Sequence, residues 1–183
     1  MVQFFIYTTR KFVRFLPLLT LLTLTLFASG QEIHSFNSSF EQRIVDEHGK
    51  VIVYHGELWA SKPQNALWSY QKPIQKSVYI SGKRLVILEP QLEQATIRSL
   101  GDEIDFLEIL KKAKKIDNDH YKATVNGQTY TIVFKNDVLS AIQYTDTYDN
   151  HVTILFLKPT QNGVIPPSRF VPTIPAGYDV LKN

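Results

Sequence analysis

The residues best suited to chemistry are the histidines, because imidazole both binds metals and transfers protons near neutral pH. The chain has five histidines and no cysteine, and the histidines are His34, His48, His55, His120 and His151. No two of them have the close spacing that is typical of metal ligands. The triplet at 55–57 (HGE) begins like a zinc-deaminase motif, but that motif also needs cysteines. The histidines therefore predict no metal site.

Two other stretches have the composition of functional sites. Residues 117–120 (DNDH) carry oxygen ligands but lack the glycine and the closing glutamate of a calcium loop, so an ordinary turn is the favoured interpretation. Ser38 and Ser39 have no base nearby in sequence, and neither a nucleophile elbow nor a phosphate-binding loop is present. We therefore predict that the chain is not an enzyme and uses no cofactor. A hydrolase whose site is assembled in space remains an alternative.

The charge distribution argues against a nucleic-acid partner. The whole chain has 20 Lys+Arg and 17 Asp+Glu, but Arg10, Lys11 and Arg14 lie in the first thirty residues, which contain no acidic residue. The rest of the chain is therefore formally neutral and lacks the basic stripe that phosphates require. The lysines between 111 and 115 alternate with apolar residues, which indicates the solvated side of a helix.

The N-terminal thirty residues have the pattern of a signal peptide. Basic residues precede an apolar run at 16–27 (LPLLTLLTLTLF), and small residues at 28–30 (ASG) follow it. The apolar run is shorter than a membrane span needs. We expect cleavage after Gly30 and one mature domain at 31–183, with an uncleaved N-terminal anchor as the alternative. Without cysteine the mature chain has no site for lipid attachment.

Strand patterns fill the centre of the chain. Residues 56–94 form four short runs in which apolar and polar residues alternate, and turn residues separate the runs at 62–65 (KPQN), 72–73 (KP), 81–83 (SGK) and 89–91 (EPQ). Such runs predict antiparallel strands with tight connections. Residues 51–60 have one apolar face, which needs a covering element.

The flanking segments predict further strands and one helix. Residues 33–42 suggest a short helix that leads into a strand ending near Asp46, and residues 95–98 extend the last central strand. Helical spacing of apolar residues predicts a helix over 102–116. Strands are expected at 121–125, 128–134, 138–145 and 151–157, with a hairpin turn at Asn126-Gly127. The sum is about nine strands curled around one helix, an arrangement that leaves an apolar cavity.

Several motifs together resemble the periplasmic outer-membrane lipoprotein carrier (LolA) family. They are Phe40-x-Gln42, Gly56-x-Leu58, Lys62-Pro63 leading to Trp68, Pro73, Ser81-Gly82-Lys83 and the run 89–94 (EPQLEQ). The tail, with Phe170, Pro172 and the run 175–180 (PAGYDV), resembles the C-terminal signature of the family. The similarity extends over residues 35–180, and the order and spacing of the motifs carry it.

This resemblance implies a mainly β fold, an unclosed antiparallel β-barrel with a helical lid over an apolar cavity. It implies a monomeric periplasmic carrier that takes acylated lipoproteins from an inner-membrane ABC transporter to an acceptor lipoprotein of the outer membrane. The missing cysteine argues against this chain being the acceptor itself. A periplasmic β-domain that acts through a protein interface, without a lipid ligand, is the alternative.

The resemblance also assigns candidate residues. The lid residues are Phe106, Leu107 and Leu110, and Lys62 stands where the family usually has an arginine that latches the lid. Ala66 and Leu67 fall on the loop that contacts the transporter, where the family has an exposed phenylalanine, so we expect an exposed apolar side chain there. The expected acyl-cavity residues are Ile52, Tyr54, Leu58, Trp68, Tyr70, Val78, Ile80, Ile87, Ile132, Phe134, Ile154 and Phe156. Cleavage after Gly30 would leave almost none of the family's N-terminal helix.

Overall fold

The computed structural model describes residues 32–100 and 106–182. One sheet dominates this part of the chain, and a single α-helix, α1 (Phe106–Lys111), lies against it. Two 3-10 turns, Pro90–Leu92 and Pro167–Phe170, interrupt the connections. The strands are β1 (Ser35–Val45), β2 (Val51–Ser61), β3 (Asn65–Lys72), β4 (Lys76–Ser81), β5 (Arg84–Glu89), β6 (Gln94–Ser99), β7 (Lys114–Lys115), β8 (His120–Val125), β9 (Gln128–Lys135), β10 (Val138–Thr145), β11 (His151–Phe156), β12 (Thr160–Gln161) and β13 (Asp179–Lys182).

The sheet is open. Its order is β13-β6-β5-β4-β3-β2-β1-β11-β10-β9-β8-β7, and β12 pairs with the start of β1 beside this path. Neighbouring strands are antiparallel except for β13, which runs parallel to β6. Within the described residues β7 and β13 form the two ends of the order, which confirms the prediction of an unclosed, mainly antiparallel barrel.

Turn residues predicted from sequence connect the strands. Asn126 and Gly127 have φ values of 47° and 80°, which are those of the tight turn between β8 and β9. Gly82, with φ of 55°, turns β4 back into β5. The 3-10 turn at Pro90–Leu92 separates β5 from β6, so residues 95–98 belong to a new antiparallel strand and do not extend the previous one.

The prediction of a short helix at 33–42 was wrong. Residues Ser35–Val45 form one continuous strand in which buried and half-buried side chains alternate. The strand pairs with β2 along its whole length and with β11 over its second half. These two sets of backbone hydrogen bonds place β1 in the middle of the sheet, and tertiary pairing of this kind overrides a weak local helical tendency.

The helix predicted at 102–116 ends earlier in the structure than the sequence pattern indicates. Helical structure ends at Lys111, and Lys114–Lys115 form β7 and pair with Lys122 and Tyr121 of β8. Pairing with β8 satisfies the backbone groups of Lys114 and Lys115 within the sheet, and tertiary pairing of this kind overrides the helical spacing of the sequence. Residues 101–105 lie outside the described part, as do residues 1–31, which contain the predicted signal peptide. Among the described residues, no helix is both long and apolar enough to cross a membrane.

The sheet has two differently covered faces. The inner face, defined here as the face in contact with α1, carries the main core, including Phe36, Phe40, Leu58, Ile132 and Ile154. The outer face carries a second cluster of Val86, Leu88 and Ala95. This second cluster is covered by the C-terminal segment (residues 167–178), whose Ile174 and Tyr178 pack against it.

Candidate functional site

The predicted cavity residues share the inner face. Strand register aligns Leu58 with Trp68, Trp68 with Val78, and Val78 with Ile87, so four neighbouring strands place these side chains in one row. On the other side of β1, Ile154 and Ile132 both align with Ile142. Because side chains alternate along a strand, the other predicted members lie on this face as well. They are Ile52, Tyr54, Tyr70, Ile80, Phe134 and Phe156.

Helix α1 inserts an aromatic ring into this face. The ring centroid of Phe106 lies 5.4 Å from that of Phe36, 5.9 Å from that of Trp68 and 5.9 Å from that of Phe156. The Phe36 and Phe156 rings meet edge to face at 4.9 Å. Tilted and edge-to-face contacts at these distances stabilise the fold beyond the free energy gained from burying apolar area. Phe106 thereby occupies an aromatic pocket. Trp68 and Phe156 of this pocket were predicted as cavity residues, and Phe36 was not.

The other predicted lid residues support the same packing. Leu107 is buried, and Leu110 is half-buried against the main core. The described helix has only six residues, and helices of this length are marginal without tertiary contacts. The apolar contacts of α1 with the inner face therefore hold it in place.

Lys62 forms an ion pair with Glu32, just before β1, and the Lys62 amide donates to the His34 carbonyl at 2.9 Å. The hydrogen bond and charge of Lys62, together with the charges of His34 and Lys111, hold the pKa of the Glu32 carboxyl below its usual range. Lys111 belongs to α1, so the pair lies close to the helix. The pair is exposed, and exposed pairs stabilise weakly. The role of Lys62 as a lid latch stays a prediction.

The expected exposure of Ala66 and Leu67 was wrong. Ala66 is 1% exposed and belongs to the main core. Leu67 is 5% exposed and lies on the opposite face, between Trp59 and Tyr79 in the strand register. The 3-10 turn of the C-terminal segment packs on β3 and β4, with the Arg169 guanidinium 4.7 Å from the centre of the Trp59 ring. A distant part of the chain therefore buries the position that local sequence suggested was exposed.

Sequence reasoning missed a polar feature of the inner face. The Tyr70 hydroxyl donates to Gln42 Oε1 at 3.0 Å, and the Tyr70 ring meets the rings of Phe40 and Tyr54 at 5.3 and 5.7 Å. Burial, with smaller contributions from Tyr144 and Tyr54, raises the pKa of Tyr70 well above its usual value. Burial likewise raises the pKa of Tyr144 to about 12. These hydroxyls therefore stay neutral hydrogen-bond donors at physiological pH. Period-two alternation along β3 and β10 would have placed both tyrosines on this face.

The residues first considered for chemistry form a turn. Asp117 Oδ1 accepts hydrogen bonds from the backbone amides of Asp119 and His120 at 3.0 and 2.9 Å, and it lies 2.9 Å from His120 Nδ1. This arrangement agrees with the interpretation of residues 117–120 as an ordinary turn. Within the described residues, no group of three or more His, Cys, Asp or Glu side chains could hold a metal ion.

Comparison with known proteins decides the family. An outer-membrane lipoprotein carrier protein from Helicobacter pylori is 42% identical to this chain over 141 residues, covering 77% of this chain and 76% of the relative. The chain belongs to the outer membrane lipoprotein carrier protein LolA family. The family model itself matches residues 31–107.

Further comparisons agree with this membership. A family member from Wolinella succinogenes, also named outer-membrane lipoprotein carrier protein, is 38% identical and covers 85% of this chain and 91% of its own length. The crystal structure of a LolA superfamily protein from Nitrosomonas europaea superposes with a TM-score of 0.50 at 12% identity, covering 75% of this chain and 90% of that one. At that identity the superposition supports the LolA-like fold alone.

Proposed function

We propose that this chain is a periplasmic carrier of acylated lipoproteins. It would receive them from an inner-membrane ABC transporter and deliver them to an acceptor at the outer membrane. The proposal has the carrier act as a monomer and includes no catalytic step, cofactor or nucleic-acid partner. Relatives with 42% and 38% identity carry the name outer-membrane lipoprotein carrier protein, which supports lipoproteins as the cargo.

One observation carries the proposal. The inner face presents aromatic and aliphatic side chains from β1, β2, β3, β9 and β11, and the element covering its aromatic pocket is a short helix. A sheet face that serves only as a core is usually covered by a large element such as a second sheet or a long helix. A helix of six residues is a covering element that can move away at a moderate cost in free energy.

The energy of acyl transfer explains why such a face is needed. Exposing one methylene to water costs about 0.8 kcal/mol, so a sixteen-carbon chain costs about 12 kcal/mol. A soluble carrier must offset most of this cost with apolar surface of its own. The carrier must also release the chain, which favours a surface that its own helix can cover again.

We infer that the acyl chain and α1 compete for the same pocket. Phe106 fills the space between Phe36, Trp68 and Phe156, so an acyl chain reaches these rings only when the helix has moved. The population of the open state then scales the apparent affinity of the carrier for its cargo. Closure of α1 over the emptied face would favour release to the acceptor.

A comparison of acylated and unacylated cargo tests the proposal. The mature carrier is mixed without detergent with a diacylated lipoprotein, or with the same polypeptide carrying serine in place of the acylated cysteine. Gel filtration should give a soluble 1:1 complex with the acylated form only. Equal binding of both forms would instead favour the alternative of a β-domain that acts through a protein interface.

A further inference from the structure

The end of the inner face that is farther from Phe36 carries a set of hydroxyl and amide groups. This tyrosine cluster consists of Gln42, Tyr54, Tyr70, Tyr130 and Tyr144. Gln42 follows Phe36 by six positions along β1, a distance of about 20 Å at the rise of an extended strand. The inner face is therefore apolar beneath α1 and contains polar groups at its other end.

The cluster is packed and well defined. The Tyr130 and Tyr144 rings lie 5.3 Å apart, and the Tyr54 and Tyr70 rings lie 5.7 Å apart. Gln42, only 8% exposed, accepts the hydrogen bond of the Tyr70 hydroxyl between these pairs. In the strand register Tyr144 lies opposite Val152, and Val152 lies opposite Ile44, two residues from Gln42, so both pairs lie at the same end of the inner face.

Several donors of the cluster point to accessible space. In the described part of the chain, the bond from Tyr70 to Gln42 is the only side-chain hydrogen bond within the cluster. The hydroxyls of Tyr54, Tyr130 and Tyr144 and the Nε2 of Gln42 have no partner among the described residues. Yet no fully buried side-chain nitrogen or oxygen there lacks a partner. These donors are therefore not fully buried and retain access to solvent.

The chemistry of the donors selects a ligand. Hydroxyl and amide groups are neutral donors and match neutral carbonyl acceptors. The nearby cation, Lys76, has its ammonium 5.0 Å from the centre of the Tyr70 ring. A phosphate is better matched by charged, often bidentate donors than by one ammonium and neutral hydroxyls. The cluster thus suits the carbonyl groups that join acyl chains to a glyceryl or cysteinyl group.

The geometry points to the tyrosine cluster as the binding site for the ester and amide carbonyls of an acylated glyceryl-cysteine, a role that rests on the proposed carrier function. The acyl chains extend from there along the inner face towards the pocket of Phe106. The carbonyls would lose hydration when the chains are bound, and the free donors of the cluster replace the lost hydrogen bonds. Tyr144 and Gln42 thus become specificity-determining residues for acyl cargo.

Ester-linked and ether-linked ligands test this inference. A synthetic triacylated lipopeptide, with two ester-linked chains on its glyceryl group and one amide-linked chain on its cysteine, and its analogue with both esters replaced by ethers are titrated into the full mature carrier, and the dissociation constants are measured. We expect the carrier to bind the ester form about tenfold more tightly, as for one or two net hydrogen bonds. Tyr144→Phe should weaken ester binding about fivefold and leave ether binding unchanged.

Controls separate this result from general effects. Tyr121 is half-buried on the same face but packs against Phe134 outside the cluster, so Tyr121→Phe should change neither affinity. A diacyl phosphatidylethanolamine and its ether analogue identify the carbonyl source. If the carrier also binds the diacyl phosphatidylethanolamine more tightly than its ether analogue, glyceryl esters suffice for recognition. If only the lipopeptide shows tighter binding of the ester form, the cysteine amide also contributes.

Two results would overturn the inference alone, namely equal affinity of the wild-type carrier for ester and ether forms, or an ester preference that Tyr144→Phe leaves intact. In both cases the carrier function would stand, because acyl chains still bind. Absence of binding of either ligand would overturn the carrier function together with the inference.

Discussion

At Gly56 the absence of a side chain decides how β2 packs against its neighbours. A Cβ atom there would clash with the Ser69 carbonyl oxygen and would lie 2.8 Å from Cζ of Phe40. The Phe40 and Tyr70 rings, 5.3 Å apart, pack closely around this position. Gly56 therefore allows the Phe40 ring and the β3 backbone to approach β2 closely.

Gly56→Ala should lower the free energy of unfolding by about 1–3 kcal/mol, because the neighbouring backbone must shift to accept the methyl group. Gly163→Ala is the matched control, since its nearest neighbour, the Thr160 methyl, would lie at an ordinary 3.4 Å. Urea unfolding measures both variants. Equal stability of the two would show that the sheet tolerates a side chain at Gly56.

Leu67 gives a second comparison at the scale of single residues. Leu67→Gln should destabilise the protein by about 1–3 kcal/mol, because it buries an amide beneath the C-terminal segment. Leu155→Gln changes the same residue type on the same outer face at a position that is 40% exposed, so it should have little effect. Thermal unfolding distinguishes them, and a stable Leu67→Gln variant would contradict the observed burial.

The contrast between Leu67 and Trp68 shows what sequence can reveal at this scale. Alternation along β3 correctly placed Trp68 on the inner face, because alternation is a property of the strand itself. Leu67 is buried by residues near position 170, and no local pattern contains that information. For the same reason the common position of Gln42 and Tyr144, which are 102 positions apart in sequence, could not be predicted before the strand order was known.

At the scale of elements, α1 covers the aromatic pocket, and the proposed function makes it a competitor of the acyl chain for that pocket. Leu107→Ala should lower the stability of the empty carrier by about 2–5 kcal/mol, because a buried side chain is truncated. The same variant should bind a fluorescent acyl probe more tightly, since the closed state loses more stability than the open state. Ile116→Ala, at a position 59% exposed, should change neither property. Loss of stability with unchanged probe affinity would mean that α1 does not gate the face.

Sequence predicted some elements better than others. The strands β8 to β11 and their turns followed from alternation and from the Asn126-Gly127 pair. The strand character of β1 did not follow, because β1 also pairs with β11, which is distant in sequence. The extent of α1 did not follow either, because Lys114–Lys115 pair with β8 and two residues carry no periodic signal. The short strands β7, β12 and β13 contain too few residues for a periodic signal.

At the scale of the whole molecule, the two faces of the sheet are covered to different extents. Over β3 to β6 the outer face is covered by a long C-terminal segment with Phe170, Ile174 and Tyr178, and β13 extends that segment along β6. The inner face is covered by one turn and a half of helix. We therefore expect ligand exchange on the inner face alone.

The two tryptophans of the chain allow a direct test of this claim. Trp68 lies on the inner face, 5.9 Å from Phe106, and Trp59 lies on the outer face beneath Arg169. Trp59→Phe leaves only Trp68 as a fluorophore, and Trp68→Phe leaves only Trp59. Each variant is titrated with an acyl chain brominated along its length, which quenches tryptophan fluorescence on contact. Binding on the inner face predicts saturable quenching of Trp68 and none of Trp59, whereas equal quenching of both, or quenching of Trp59 alone, would contradict it.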